Sequence, residues 1–198
     1  VETLEASVGF GGQIEQRQEE LQVPSTESGV GDLLLGAKWN PLSEQHHWAS
    51  HALAFSVKFP TADYHNDLGS GETDFDLTYI ASKTLGEGWA AHLNVGYTFT
   101  GDPADEALDD IFHAGLALGW QARDKLEFVV EMYADVPITA VADTAVTING
   151  GLRWRALAAL TLDAAVGHGL HGGAPDWIAT IGLTWAFGPK RQTSASNN

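Results

Sequence analysis

GSGETDFDLTYIAS, residues 69–82, carries the pattern on which the fold turns. Asp74, Asp76, Thr78 and Ser82 alternate with Phe75, Leu77, Tyr79 and Ala81. Successive side chains of an extended strand point to opposite faces, so this stretch has one wet face and one greasy face. The fold depends on which of the two is enclosed.

The same two-residue period recurs in ten segments: Thr3–Gln16, Val30–Asn40, His51–Phe59, Thr73–Lys83, Trp89–Thr100, Phe112–Ala122, Leu126–Asp135, Ala145–Arg155, Leu160–His168 and Trp177–Phe187. Each places large apolar residues on one face and charges, amides, hydroxyls and glycines on the other. A soluble sandwich alternates in this way too, with its greasy face inward. Length argues otherwise, because soluble strands average about five or six residues and membrane-barrel strands about nine to eleven. Aromatic residues also gather at segment ends (Trp39, Phe59, Trp89, Phe99, Trp120, Trp154, Trp177, Trp185, Phe187), as in the two interfacial girdles of an outer-membrane barrel.

The connections have a rhythm as well. Short links at 41–47, 84–88, 123–125 and 156–159 alternate with longer ones at 18–29, 61–72, 101–110, 136–144 and 169–176. Short periplasmic turns and longer outer loops alternate in this way in bacterial barrels. The sequence therefore predicts an all-β, antiparallel up-and-down transmembrane β-barrel of about ten strands. It occupies residues 1–187, with a polar tail at 188–198 that reads as disordered. On this reading hydrocarbon touches the outside and the aspartates of the opening stretch point inward.

Composition narrows the function. A net charge of −16 disfavours nucleic acid, whose phosphates need basic patches. With no cysteine there is neither a disulfide framework nor a thiolate metal site. No run approaches the roughly 18 apolar residues of a membrane helix. Acidic residues crowd the long connections (Glu19, Glu20, Glu27, Asp63, Asp67, Glu72, Asp102, Asp105, Glu106, Asp109, Asp110, Asp143, Asp176). Basic ones gather at the other end (Lys38, Lys83, Arg123, Lys125, Arg155, Lys190, Arg191). The acidic loops read either as a funnel for cations or as a solvated rim that meets lipopolysaccharide through divalent ions.

The candidate lumen-lining residues are Asp32, Lys38, Lys58, Asp74, Asp76, His92, Asn94, Glu127, Glu131, Arg153 and Asp163. Pairing across the connections sets Glu127 near Arg153, Arg153 near Asp163, and Lys58 near Asp74. Such pairs serve either as struts that plug a narrow lumen or as a constriction with opposed charges. No metal, cofactor or catalytic site is expected. The eight histidines lack ligand spacing, and the acidic run around residues 63–74 lacks the order of a calcium loop. Ser82, His92 and Asp76 share a face, but pairing across the 84–88 link sets His92 nearer Ile80 than Ser82, and no G-x-S-x-G is present.

GVGDLLLGAKW (29–39), VKFPTADYHNDLGSGETDFDLTYIASKTLG (57–86), LNVGYTFTGD (93–102) and LEFVVEMYAD (126–135) resemble the MetA-pathway phenol-degradation family. The resemblance covers about residues 29–187 and is sharpest over 29–102. It implies a Gram-negative outer-membrane barrel that passes small organic, including aromatic, solutes, with the lipid bilayer and lipopolysaccharide as its surroundings. Members of the family carry further strands ahead of the Gly-x-Gly-Asp segment. Val1 is not an initiator, so a trimmed N-terminus is expected, and if an N-terminal hairpin is missing the intact protein has twelve strands. The alternative function is a structural or partner-binding barrel with a side-chain-plugged lumen.

Overall fold

The computed structural model describes the backbone of residues 3–10, 14–16 and 26–28, and both backbone and side chains of 30–63, 70–103, 108–139 and 143–185. Among the described residues there is no helix. The strands are β1 (Thr3–Phe10), β2 (Ile14–Gln16), β3 (Thr26–Ser28), β4 (Leu33–Leu42), β5 (Ser50–Phe59), β6 (Asp74–Gly86), β7 (Trp89–Phe99), β8 (Ile111–Arg123), β9 (Leu126–Pro137), β10 (Ala145–Arg155), β11 (Leu160–His171) and β12 (Trp177–Trp185). The main sheet has ten strands in the order β1-β4-β5-β6-β7-β8-β9-β10-β11-β12. Nine of them, β4 to β12, follow one another up and down in an antiparallel half-barrel.

The expected count of about ten strands therefore holds, with one correction. The segment expected over Thr3–Gln16 is two elements. Thr3–Phe10 pairs with β4, whereas Ile14–Gln16 pairs with Thr26–Ser28 in a separate two-stranded sheet. Gly11 and Gly12 interrupt the alternation between them, and glycine pairs weaken a strand interior. The link expected at 18–29 thus contains β3. The tail 188–198 and the loop acids Glu19, Glu20, Asp67, Asp105 and Glu106 lie outside the described residues, as does the side chain of Glu27.

Paired residues run obliquely across the sheet. One line of partners passes from Trp177 through His168, Ile148, Met132, Leu116, Leu93, Ala81 and His51 to Leu42. It starts at the first residue of β12 and finishes at the last residue of β4. Strands that are staggered in this sense are tilted, and a sheet needs such a shear to curl into a barrel. Two connections are two-residue turns, Glu87–Gly88 and Asp124–Lys125, and the first has φ of 50° and 82°. Positive φ at both positions suits the right-handed twist of the flanking strands, and glycine takes it without steric cost.

Burial is inverted relative to a water-soluble domain. The buried apolar residues are all alanines (Ala49, Ala52, Ala81), and no large side chain is fully buried among the described residues. The enclosed polar residues are Asp32, His113 and Thr147. Leu93, Leu116, Val130 and Met132 are exposed, as are the girdle aromatics Trp39, Phe59, Trp89, Phe99, Trp120, Trp154, Trp177 and Trp185, while Phe187 lies outside the described residues. The greasy face is the outer one.

Candidate functional site

The polar face gathers every expected lumen residue. Asp32 precedes β4, and Lys38, Lys58, Asp74, Asp76, His92, Asn94, Glu127, Glu131, Arg153 and Asp163 occupy the polar phase of their strands. Alternation forces this, since each lies an even number of residues from another polar-face position on its strand.

Three clusters form. At the long-loop end, Lys58 Nζ lies 2.5 Å from Asp74 Oδ2 and 3.7 Å from Asp32 Oδ2, and it donates to Ser70 Oγ at 2.9 Å. The second oxygen of each carboxylate accepts a loop amide: Ala62 N–H to Asp32 at 2.8 Å, and Gly101 N–H to Asp74 at 3.0 Å. These aspartates therefore tie down loop mouths as well as the ammonium.

The second cluster centres on Asp76. Its Oδ1 accepts from Thr78 at 2.7 Å, and its Oδ2 accepts from Thr98 at 3.1 Å. The same Oδ2 lies 2.6 Å from His113 Nε2, two strands away. His113 reaches it by crossing β7 at Gly96, its direct cross-strand partner. A Cβ at position 96 would clash with the imidazole at its Cε1 and Nε2, and lie 2.8 Å from the Leu77 carbonyl oxygen. His113 is absent from the expected site. The readable signal was a glycine placed opposite a histidine once the strands on either side of the 101–110 loop are aligned.

The third cluster lies on β9–β11. Arg153 pairs with Glu127 at 3.4 Å, as expected. Arg153 and Asp163 are direct cross-strand partners, but the guanidinium turns toward Glu127. Glu131 accepts from Asn149 Nδ2 at 3.5 Å. Tyr133 and Asp135, which were not singled out from the sequence, extend this wall toward the long loops.

The expected offset between Ser82 and His92 is corrected. They are direct partners, with Ser82 Oγ 2.9 Å from His92 Nδ1. Strands β6 and β7 continue to Gly86 and Trp89, so the link shrinks to two residues and the register moves. Asp76 serves His113, Thr78 and Thr98 instead of His92. Asp76 is therefore not placed to orient His92 as the carboxylate of a hydrolytic triad would.

Outside the strands, Glu44 anchors the 43–49 turn. Its carboxylate lies 2.7 Å from Lys83 Nζ and accepts the Thr84 amide with both oxygens, at 3.1 and 3.0 Å. The hydrogen bond from Lys83, and then those from Thr84, hold its pKa down from 4.5 to about 2. A depressed carboxylate stabilises the fold above its ordinary value and loses that contribution as pH falls through the folded one. The anchor should therefore be intact above pH 4.5 and released only near pH 2. A carbon-13 titration of the Glu44 carboxyl in detergent micelles is expected to have its midpoint near 2. An ordinary midpoint means that the turn is not held by this pair.

No curated protein matches the chain. The family model described as "Putative MetA-pathway of phenol degradation" matches residues 3–187. That span takes in all ten strands of the main sheet and all three clusters of the polar face. The chain belongs to this phenol-degradation family.

Proposed function

We propose that the protein is an outer-membrane β-barrel of a Gram-negative bacterium, through which small organic solutes, aromatic ones among them, pass by diffusion. The inverted burial carries this reading. A face of exposed leucine, valine, phenylalanine and tryptophan is costly in water and favourable in hydrocarbon, whereas an enclosed face of carboxylates and amides suits a wet lumen.

The aromatic positions supply the dimensions. Trp39, Trp89, Trp120, Phe128, Trp154 and Trp185 lie toward the short turns, and Phe59, Phe75, Phe99, Phe112 and Trp177 toward the long loops. Trp89 stacks on Trp120 at 5.8 Å, and Trp120 on Phe128 at 6.2 Å, which makes one rim continuous across three strands. Trp89 and Phe99 bound β7. Ten steps of about 3.3 Å, tilted by about 40°, span about 25 Å, the height of an apolar band in such barrels. The family's name points to phenol degradation, for which an aromatic solute must first enter the cell.

A second reading has its own support. The Asp32–Lys58–Asp74 and Asp76–His113 contacts bind side chains to one another on the enclosed face, as struts in a plugged lumen would. One experiment decides between them. The purified chain in planar lipid bilayers is expected to give stepwise ion conductance, and liposomes carrying it should swell in small sugars and phenols. Silent bilayers and impermeable liposomes, with the protein demonstrably folded, replace the channel with the plugged barrel.

A further inference from the structure

The polar-face side chains do not project uniformly toward the barrel axis. Several lie flat over a glycine of the adjacent strand: His113 over Gly96, Tyr133 over Gly115, Glu127 over Gly119, Asn149 over Gly167 and Asp163 over Gly182. Four of these five are direct cross-strand partners. The lean has a direction. Side chains on β8 and β9 fold back over β7 and β8, whereas those on β10 and β11 fold forward over β11 and β12. The glycine-seated side chains therefore lean apart between β9 and β10, although Arg153 reaches Glu127 and Asn149 reaches Glu131 across that line, at 3.4 and 3.5 Å.

Two cavities open at that parting, of about 200 and 360 Å³. They share Glu131, Asn149 and Ala165, so they adjoin. One extends toward Arg153 and Asp163 near the short turns, and the other toward Asp135 and Pro175 near the long loops. Together they form a groove along the strands. The β5–β8 wall carries the shorter fastenings, Lys58 to Asp74 at 2.5 Å and His113 to Asp76 at 2.6 Å.

We propose that the solute path is this groove on the β9–β11 wall, and that Asn149 and Asp163, laid on Gly167 and Gly182, set its width. The inference rests on the channel reading and deepens it. The groove presents the carboxylates of Glu131, Asp135 and Asp163, while the single guanidinium, Arg153, is taken up by Glu127. Its solutes are small neutral or cationic molecules with hydroxyl or amino donors, and anions are disfavoured.

A methyl at 167 or 182 would strike the far end of Asn149 or Asp163, a flexible group that can swing off the wall. Such variants keep the sheet but push a polar side chain into the groove. In planar bilayers the full chain carrying Gly167→Ala or Gly182→Ala is expected to conduct about two-fold less than the parent, because a pore passes what its diameter admits. Asn149→Ala and Asp163→Ala are expected to conduct more, with faster entry of larger neutral sugars into liposomes. Ala54→Val adds comparable bulk to the polar face of β5 and should leave conductance unchanged. Heat-modifiable gel migration checks that each variant is folded. A conducting parent with conductance unmoved by all four groove variants, or lowered as much by Ala54→Val as by Gly167→Ala, overturns the groove and leaves the channel standing. A silent parent removes the channel itself, and the groove with it.

Discussion

Replacing Leu116 by arginine is expected, if the proposed outer-membrane reading holds, to destabilise the protein in lipid by about 2–4 kcal/mol, the cost of a cation facing hydrocarbon near a bilayer midplane. Leu116 lies in mid-β8 between Leu93 and Met132, and it is 57% exposed. On a water-soluble protein a charge at so open a position would change stability by no more than about 0.5 kcal/mol. Depth supplies the internal control. Leu85 is equally exposed at 57%, but it lies at the turn end of β6. Leu85→Arg should cost only about 0–1 kcal/mol, because the penalty fades toward the interface. Urea unfolding in phospholipid vesicles measures both. Equal and small costs at the two positions would remove hydrocarbon from the account of the outer face.

Lys58→Met is expected to cost about 3 kcal/mol, since breaking a buried ion pair leaves uncompensated charge behind. Two carboxylates depend on this ammonium. The side chains of Asp32 and Asp74 are 7% and 15% exposed, so water screens neither well. Their amide partners, Ala62 and Gly101, remain, but a neutral donor offsets only part of the lost pairing. The triple variant Lys58→Met, Asp32→Asn, Asp74→Asn should recover much of the loss, because it carries no unpaired charge. Urea midpoints of the single and triple variants form the comparison. If the triple is as unstable as the single, the lysine acts through packing of its stem rather than through charge.

Much of the fold was legible in the alternation. Leu93, Val95, Tyr97 and Phe99 against His92, Asn94, Gly96 and Thr98 define a strand and its two faces without any tertiary information, because the period of two is a property of the extended backbone. The Lys58–Asp74 contact was legible too, since a hairpin brings residues equidistant from its loop together. Register near a turn was not. The offset assigned to Ser82 and His92 failed because the ladder continues into Thr84–Gly86 past a register shift, and backbone pairing there leaves no mark in the side-chain pattern. That His113 meets Asp76 was not legible either, for a related reason. They meet across an intervening strand, and that contact depends on Gly96 being empty of side chain rather than on any local spacing.

The sequence by itself determined that the chain is all-β, where most strands lie, which residues share a face, and which family the protein resembles. Each of these follows from local periodicity or from short quoted motifs. Alternation alone is symmetric, but strand length and the aromatics at strand ends already set the greasy face outward, and the tertiary structure bears that out. It alone decided that Asp32 joins Lys58, that Asp76 takes His113, that Arg153 turns from Asp163 to Glu127, and where the side chains of the polar wall lean apart. Those outcomes depend on register and on the space above each glycine, and both are set by strands distant along the chain.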